Sequence, residues 1–177
     1  NWVLLILQTT LNSDHAVYRI DLNTLAVTEV VKSRPDIRFW KTDTSGVVRM
    51  GIGYSAGRLR VLYRASADAE FKLIVDGGWD KRVLTLLSAL IAPESDQGYV
   101  VSNEARGRYA IHHFDFATLT LGDVLLEDPE HDVDIFSDGP EDLSILGASK
   151  TDDYPTHIWR DPQMIAIARD RDHLRIA

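Results

Sequence analysis

Cysteine is absent from this 177-residue chain. Disulfides, thiolate-bound metals and a cysteine nucleophile are therefore excluded, while the compartment is left open. Long apolar runs are absent too. The opening run Trp2–Leu7 has six residues, against the ~20 needed for a helix to span a bilayer. No basic segment precedes it, so it does not read as a signal peptide. Basic residues are in deficit: 19 Lys and Arg face 27 Asp and Glu, for a net charge of −8. Such a surface repels phosphate backbones, so nucleic acid is not expected as a partner; with no apolar run of spanning length, neither is a membrane. Low-complexity tracts and linkers are lacking as well, and the chain reads as one domain over residues 1–177. Hydrophobic residues at 45% and charged residues at 26% exclude a disordered chain.

What is present is a repeat. Val17–Thr24 (VYRIDLNT), Ile111–Thr118 (IHHFDFAT) and His157–Pro162 (HIWRDP) share one pattern, and Val61–Ser66 (VLYRAS) is a weaker copy. Anchored on Asp21, Ala65, Asp115 and Asp161, the copies are 44, 50 and 46 residues apart. A loose period in the forties, carried by alternating strand-like segments, suggests β-propeller blades. Turn residues every 8–12 positions support an all-β chain. The expected architecture is a partial β-propeller of about four four-stranded antiparallel blades. The blade-like units are residues 1–34, 35–80, 81–130 and 131–162, followed by a short C-terminal helix over 162–176.

Within these units, Trp2–Leu7 has the continuous apolar pattern of a strand covered on both faces. A chain that opens on such a strand points to a segment of a longer protein. Asp76-Gly77-Gly78 reads as a turn. Val83–Ile91 fits either a short helix or a buried strand. Asp161 followed by Pro162 is a helix-start pattern, and the tail Gln163–Ile176 reads as the one helix.

Several motifs suggest chemistry, and each has a competing structural reading. Gly53-Tyr54-Ser55-Ala56-Gly57 matches the serine nucleophile elbow, which needs a strand before it and a helix after it. Arg58, Arg60 and Arg64 alternate with Leu59, Val61 and Tyr63, which predicts a strand, so Ser55 is expected in a hairpin turn. Gly51, Gly53 and Gly57 approach a dinucleotide fingerprint, but the spacing is off by one and no helix is expected next. The acidic segment Glu127–Asp142 could bind calcium, but Phe136 breaks the EF-hand pattern. It reads as a solvated connection. His112 and His113 are adjacent on a strand and point to opposite faces, while His15, His131, His157 and His173 lack useful spacing. No metal, cofactor or catalytic residue is assigned. The four tryptophans and six tyrosines are expected in packing rather than in a stacking platform.

The ordered segments VYRIDLNT, SGVVRMGIGYSAGRLRVLYR, GYVVSNEARGRYAIHHFDFATLTLGDVLLEDPEHDVD and TDDYPTHIWRDP give a resemblance over residues 16–162. They resemble the propeller region of bacterial prolyl oligopeptidase-family serine peptidases, which include dipeptidyl and acylaminoacyl peptidase-like enzymes. The resemblance implies a seven- or eight-bladed propeller capping an α/β-hydrolase domain that carries a Ser–Asp–His triad. About four blades are represented here, and no triad residue transfers to this chain. The implied role is to restrict the chamber to short peptides. The implied partner is the hydrolase domain of the same protein. An open array of blades also leaves unpaired strand edges, so a homo-oligomer is expected. A stand-alone binding or scaffold module is the alternative, and an independent hydrolase using Ser55 is a third.

Overall fold

The computed structural model describes residues 1–8, 14–78, 82–105, 107–138, 144–151 and 154–174. The chain divides into two compact units. Residues 1–83 and 93–96 form the first; residues 84–92 and 97–177 form the second. The described residues are mostly strand, arranged in four antiparallel sheets.

The first unit holds two sheets. Strands β1 (Trp2–Leu7), β2 (Ala16–Asp21) and β3 (Val27–Val31) form a three-stranded meander in chain order. Strands β4 (Phe39–Thr42), β5 (Val48–Ser55), β6 (Arg58–Tyr63) and β7 (Lys72–Gly78) form a four-stranded one. Val17, Val31, Ile37, Trp40 and Val48 are buried together, with Leu4, Leu62 and Phe71 packed against them. Trp40 is fixed at both ends. Its ring meets Phe71 edge-on at 5.4 Å, and its Nε1 donates to the His15 carbonyl at 2.8 Å, which satisfies the polar tip of a buried indole.

The second unit repeats the plan. Helix α1 (Arg82–Leu87) leads to β8 (Leu90–Ile91), β9 (Gln97–Ser102), β10 (Ala110–Asp115) and β11 (Thr120–Leu126), again neighbours in chain order. Strands β12 (Val133–Asp138), β13 (Ile145–Thr151) and β14 (Pro155–Trp159) make the last sheet, and helix α2 (Pro162–Leu174) follows. Val101, Ile111, Val133, Ile145 and Ala148 form the core cluster of this unit.

The four sheets span residues 2–31, 39–78, 90–126 and 133–159, and four expectations are corrected. Among the described residues, the first and last sheets have three strands, not four. Asp76-Gly77-Gly78 is not a turn but the end of β7, because Gly77 and Gly78 pair with Leu59 and Arg58. Arg58 also places two nitrogens on the Asp76 carboxylate, at 2.9 and 3.1 Å. The stretch Val83–Ile91 divides, with α1 taking its first part and β8 its end, so the tail helix is not the only one. Trp2–Leu7 is a strand, but it is not covered on both faces. It is an edge strand, and Trp2, Ile6 and Leu7 are 46%, 45% and 42% exposed. Leu4 packs against the core cluster of the unit. Asn12-Ser13-Asp14 has turn composition, but Asn12 and Ser13 lie outside the described residues, as do Gly139 and Pro140.

The repeat has a physical basis in its aspartates. Asp21 ends β2, and its Oδ1 accepts the Asn23 and Thr24 amides at 2.8 and 2.9 Å. Asp115 ends β10 and accepts the Thr118 amide and hydroxyl at 2.8 and 2.9 Å. Asp161 follows β14 and accepts the Gln163 and Met164 amides at 2.9 and 3.0 Å, capping α2. In each case a carboxylate satisfies amides that the turn or helix start leaves unpaired. Ala65 stands at the corresponding point after β6 and cannot do this. There Arg64 holds the chain instead, donating to the Val48 and Ala67 carbonyls, each at 2.7 Å.

Candidate functional site

The densest polar cluster lies in the first unit, around Arg49. The residue sits on β5, whose run from Val48 to Gly53 is buried throughout. A strand buried on both faces offers a charged side chain no route to water, so the charge must be paired. Arg49 Nη1 donates to Asp43 at 3.3 Å. Nε donates to the Arg64 carbonyl at 2.8 Å. Nη2 reaches the Tyr63 hydroxyl and the Ser95 carbonyl, both at 2.8 Å, and Asp96 at 3.2 Å. The Tyr63 hydroxyl donates to Asp96 at 2.5 Å.

Local sequence explains each position. Asp43 Oδ1 closes the turn between β4 and β5 by accepting the Ser45 and Val47 amides at 3.0 and 2.9 Å, which leaves Oδ2 for Arg49. Tyr63 is at the end of β6, across the sheet from Met50. Burial, and then the Asp96 carboxylate beside it, push the Tyr63 phenol above its ordinary range, while the Arg49 cation opposes them. This tyrosine stays protonated and serves as a donor. Every nitrogen of Arg49 is used by the chain itself. The cluster is thus chemically a latch that holds segment 93–96.

In the second unit Asp128 gathers a smaller cluster. It accepts the Glu130 and His131 amides, both at 2.9 Å, and Lys150 Nζ at 2.7 Å. Lys150 first, then the Glu130 amide and the His131 ring, hold its carboxyl well below the usual range. An open recess of about 740 Å³ beside it is lined by Tyr109, His131, Asp132 and Lys150, among others. Both Asp128 oxygens are occupied by donors of the chain, as befits a closed connection.

The sequence motifs resolve into structure. Ser55 ends β5 and pairs with Arg58 of β6 across the turn at Ala56-Gly57, whose φ values are 48° and 78°. No helix follows, so the elbow geometry is absent there. Gly51 and Gly53 are packing glycines. A Cβ on Gly51 would lie 2.7 Å from the Trp40 ring, and one on Gly53 would overlap the Asp36 carbonyl oxygen. His112 is buried, with Nδ1 3.2 Å from the Gly122 carbonyl oxygen. His113 points to the other face and lies 5.0 Å from the Tyr99 ring. Among the described residues, no group of three or more His, Asp or Glu is placed to hold a metal. Part of the acidic segment, residues 139–142, lies outside the described residues. The aromatics divide: Trp40 and Tyr63 are core, whereas Trp2, Tyr54 and Tyr154 are exposed.

No family model, curated protein or solved structure matches the chain. Its chemistry has to be read from its own residues. Arg49 is the one that sequence reasoning missed. Its partners Asp43, Tyr63 and Asp96 are spread over more than fifty residues, so no local spacing marks it. The available signal was an arginine inside an otherwise apolar run, Val47–Ile52.

Proposed function

We propose that this chain is a non-catalytic propeller segment of a prolyl oligopeptidase-like serine peptidase. In this reading its four sheets are consecutive blades. They form part of the wall of a capped chamber and admit short peptides while excluding folded chains. The observation that carries the reading is the succession of four antiparallel meanders; the aspartate of the repeat closes a turn inside two of them, at Asp21 and Asp115, and caps the helix that follows a third, at Asp161. The hairpin at Ser55 lacks the helix that a serine elbow needs, which favours this reading over an independent hydrolase using Ser55. The latch around Arg49 supports a scaffold role, since its polar groups are spent on holding the chain.

The experiment has two arms. The purified chain should neither turn over chromogenic peptidyl substrates nor take a fluorophosphonate label at Ser55. An intact protein that contains it should cleave short peptides, and removing the segment should admit longer ones. Turnover by the chain alone, or an intact protein without peptidase activity, would refute the proposal. A stand-alone binding module is the second reading, favoured by the exposed apolar side chains of β1.

A further inference from the structure

β1 differs from every other edge strand of the described sheets. The others carry features that block pairing with another chain. β3 has Glu29, β4 has Lys41, β7 has Asp76 and β11 has Asp123. β12 has Asp134, β14 begins at Pro155, and β8 is only two residues long. β1 is Trp-Val-Leu-Leu-Ile-Leu, with no charge, no proline and an unbroken register against β2. Among the described residues, no strand pairs with its outer edge.

The register shows which backbone groups that edge presents. The Leu22 amide donates to the Asn1 carbonyl at 2.9 Å, one step beyond the Trp2–Asp21 pair. Hydrogen-bonded pairs alternate along an antiparallel ladder. Asn1, Val3, Leu5 and Leu7 therefore bond to β2. Trp2, Leu4 and Ile6 turn their N–H and C=O groups outward.

We infer that β1 pairs with β1 of a second copy of this chain, antiparallel across a two-fold axis at Leu4. The outward groups fit only a register of matching parity. With Leu4 opposite Leu4, Trp2 faces the second copy's Ile6, and every outward group in the run finds a partner. The strand carries no charge, so nothing repels its own copy at the axis. Pairing makes one six-stranded sheet from two three-stranded ones and covers apolar side chains now in water. The inference rests on β1 alone and does not depend on the peptidase reading.

Sedimentation of the full chain should show a concentration-dependent dimer at up to ~1 mM, the weak end of specific association. Ile6→Pro removes an outward N–H and leaves the β1–β2 ladder intact. It should raise the dimer dissociation constant ~10-fold or more. Ile6→Lys should act the same way through charge and serves if the proline variant does not fold, which circular dichroism reports. The chain has no cysteine, so a single Leu4→Cys should cross-link to its own copy under diamide, whereas Ile6→Cys should not. A monomer throughout, or a dimer unaffected by both Ile6 variants, would overturn the pairing.

Discussion

Arg49 and Asp43 form an ion pair of 3.3 Å with side chains only 1% and 2% exposed. Removing one partner of a buried pair leaves the other charge uncompensated, which typically costs ~3–5 kcal/mol. Arg49→Met should therefore destabilise the chain by about 3 kcal/mol in urea denaturation. Arg49→Lys should recover little, because a single ammonium cannot serve Asp43, Tyr63 and two carbonyls at once. A loss below ~0.5 kcal/mol for Arg49→Met, typical of surface sites, would show that the pair is not the latch described.

Gly53 of β5 and Gly57 of the turn after it separate packing from conformation. Gly53→Ala places a Cβ on the Asp36 carbonyl oxygen, and overpacking of this kind costs ~1–3 kcal/mol or more. Gly57 has a φ of 78°, but a Cβ there would meet nothing nearer than the Tyr54 hydroxyl at 4.0 Å. There alanine should cost only ~1 kcal/mol, from backbone strain. Thermal melts of the two variants should keep this order. The reverse order would remove the packing account of Gly53.

Much of this fold was legible because its signals are local. Strands β2 and β6 alternate in sequence, and Asp161-Pro162 announces α2. What failed depended on partners remote in sequence. Asp76-Gly77-Gly78 has turn composition, yet β6 supplies the pairing that keeps it extended. Trp2–Leu7 has the composition of a covered strand, but composition cannot say that its outer edge lacks a neighbour. Arg49 looks like a solvent-facing residue until the burial of β5 leaves it no solvent face.

The carboxylates that close turns give a pH signature. Asp128, Asp21 and Asp115 are all held below the usual range, by Lys150 first in one case and by backbone amides first in the others. A group with a depressed folded pKa contributes its stability above the unfolded value, ~3.9 for Asp. That contribution is lost as pH falls from there through the folded value. The urea midpoint should therefore drop below pH ~4, and Asp128→Asn should flatten the drop. An unchanged acid limb in Asp128→Asn would mean that Lys150 and the two amides do not hold this charge.

Asp161 should be the cap of α2. Asp161→Ala removes the acceptor for the Gln163 and Met164 amides and should cost ~1 kcal/mol, with reduced helical signal in circular dichroism. Asp161→Asn should restore most of it, since the amide oxygen can also cap. Equal loss in both variants would contradict a capping role.

We propose that the four consecutive meanders are blades of one propeller that guards a separate hydrolase. A crystal structure of an intact protein containing this segment is the decisive measurement. It should show four sheets in succession around a common axis, facing an α/β domain with a Ser–Asp–His triad. Sheets without a shared axis, or a reactive serine at position 55, would contradict it.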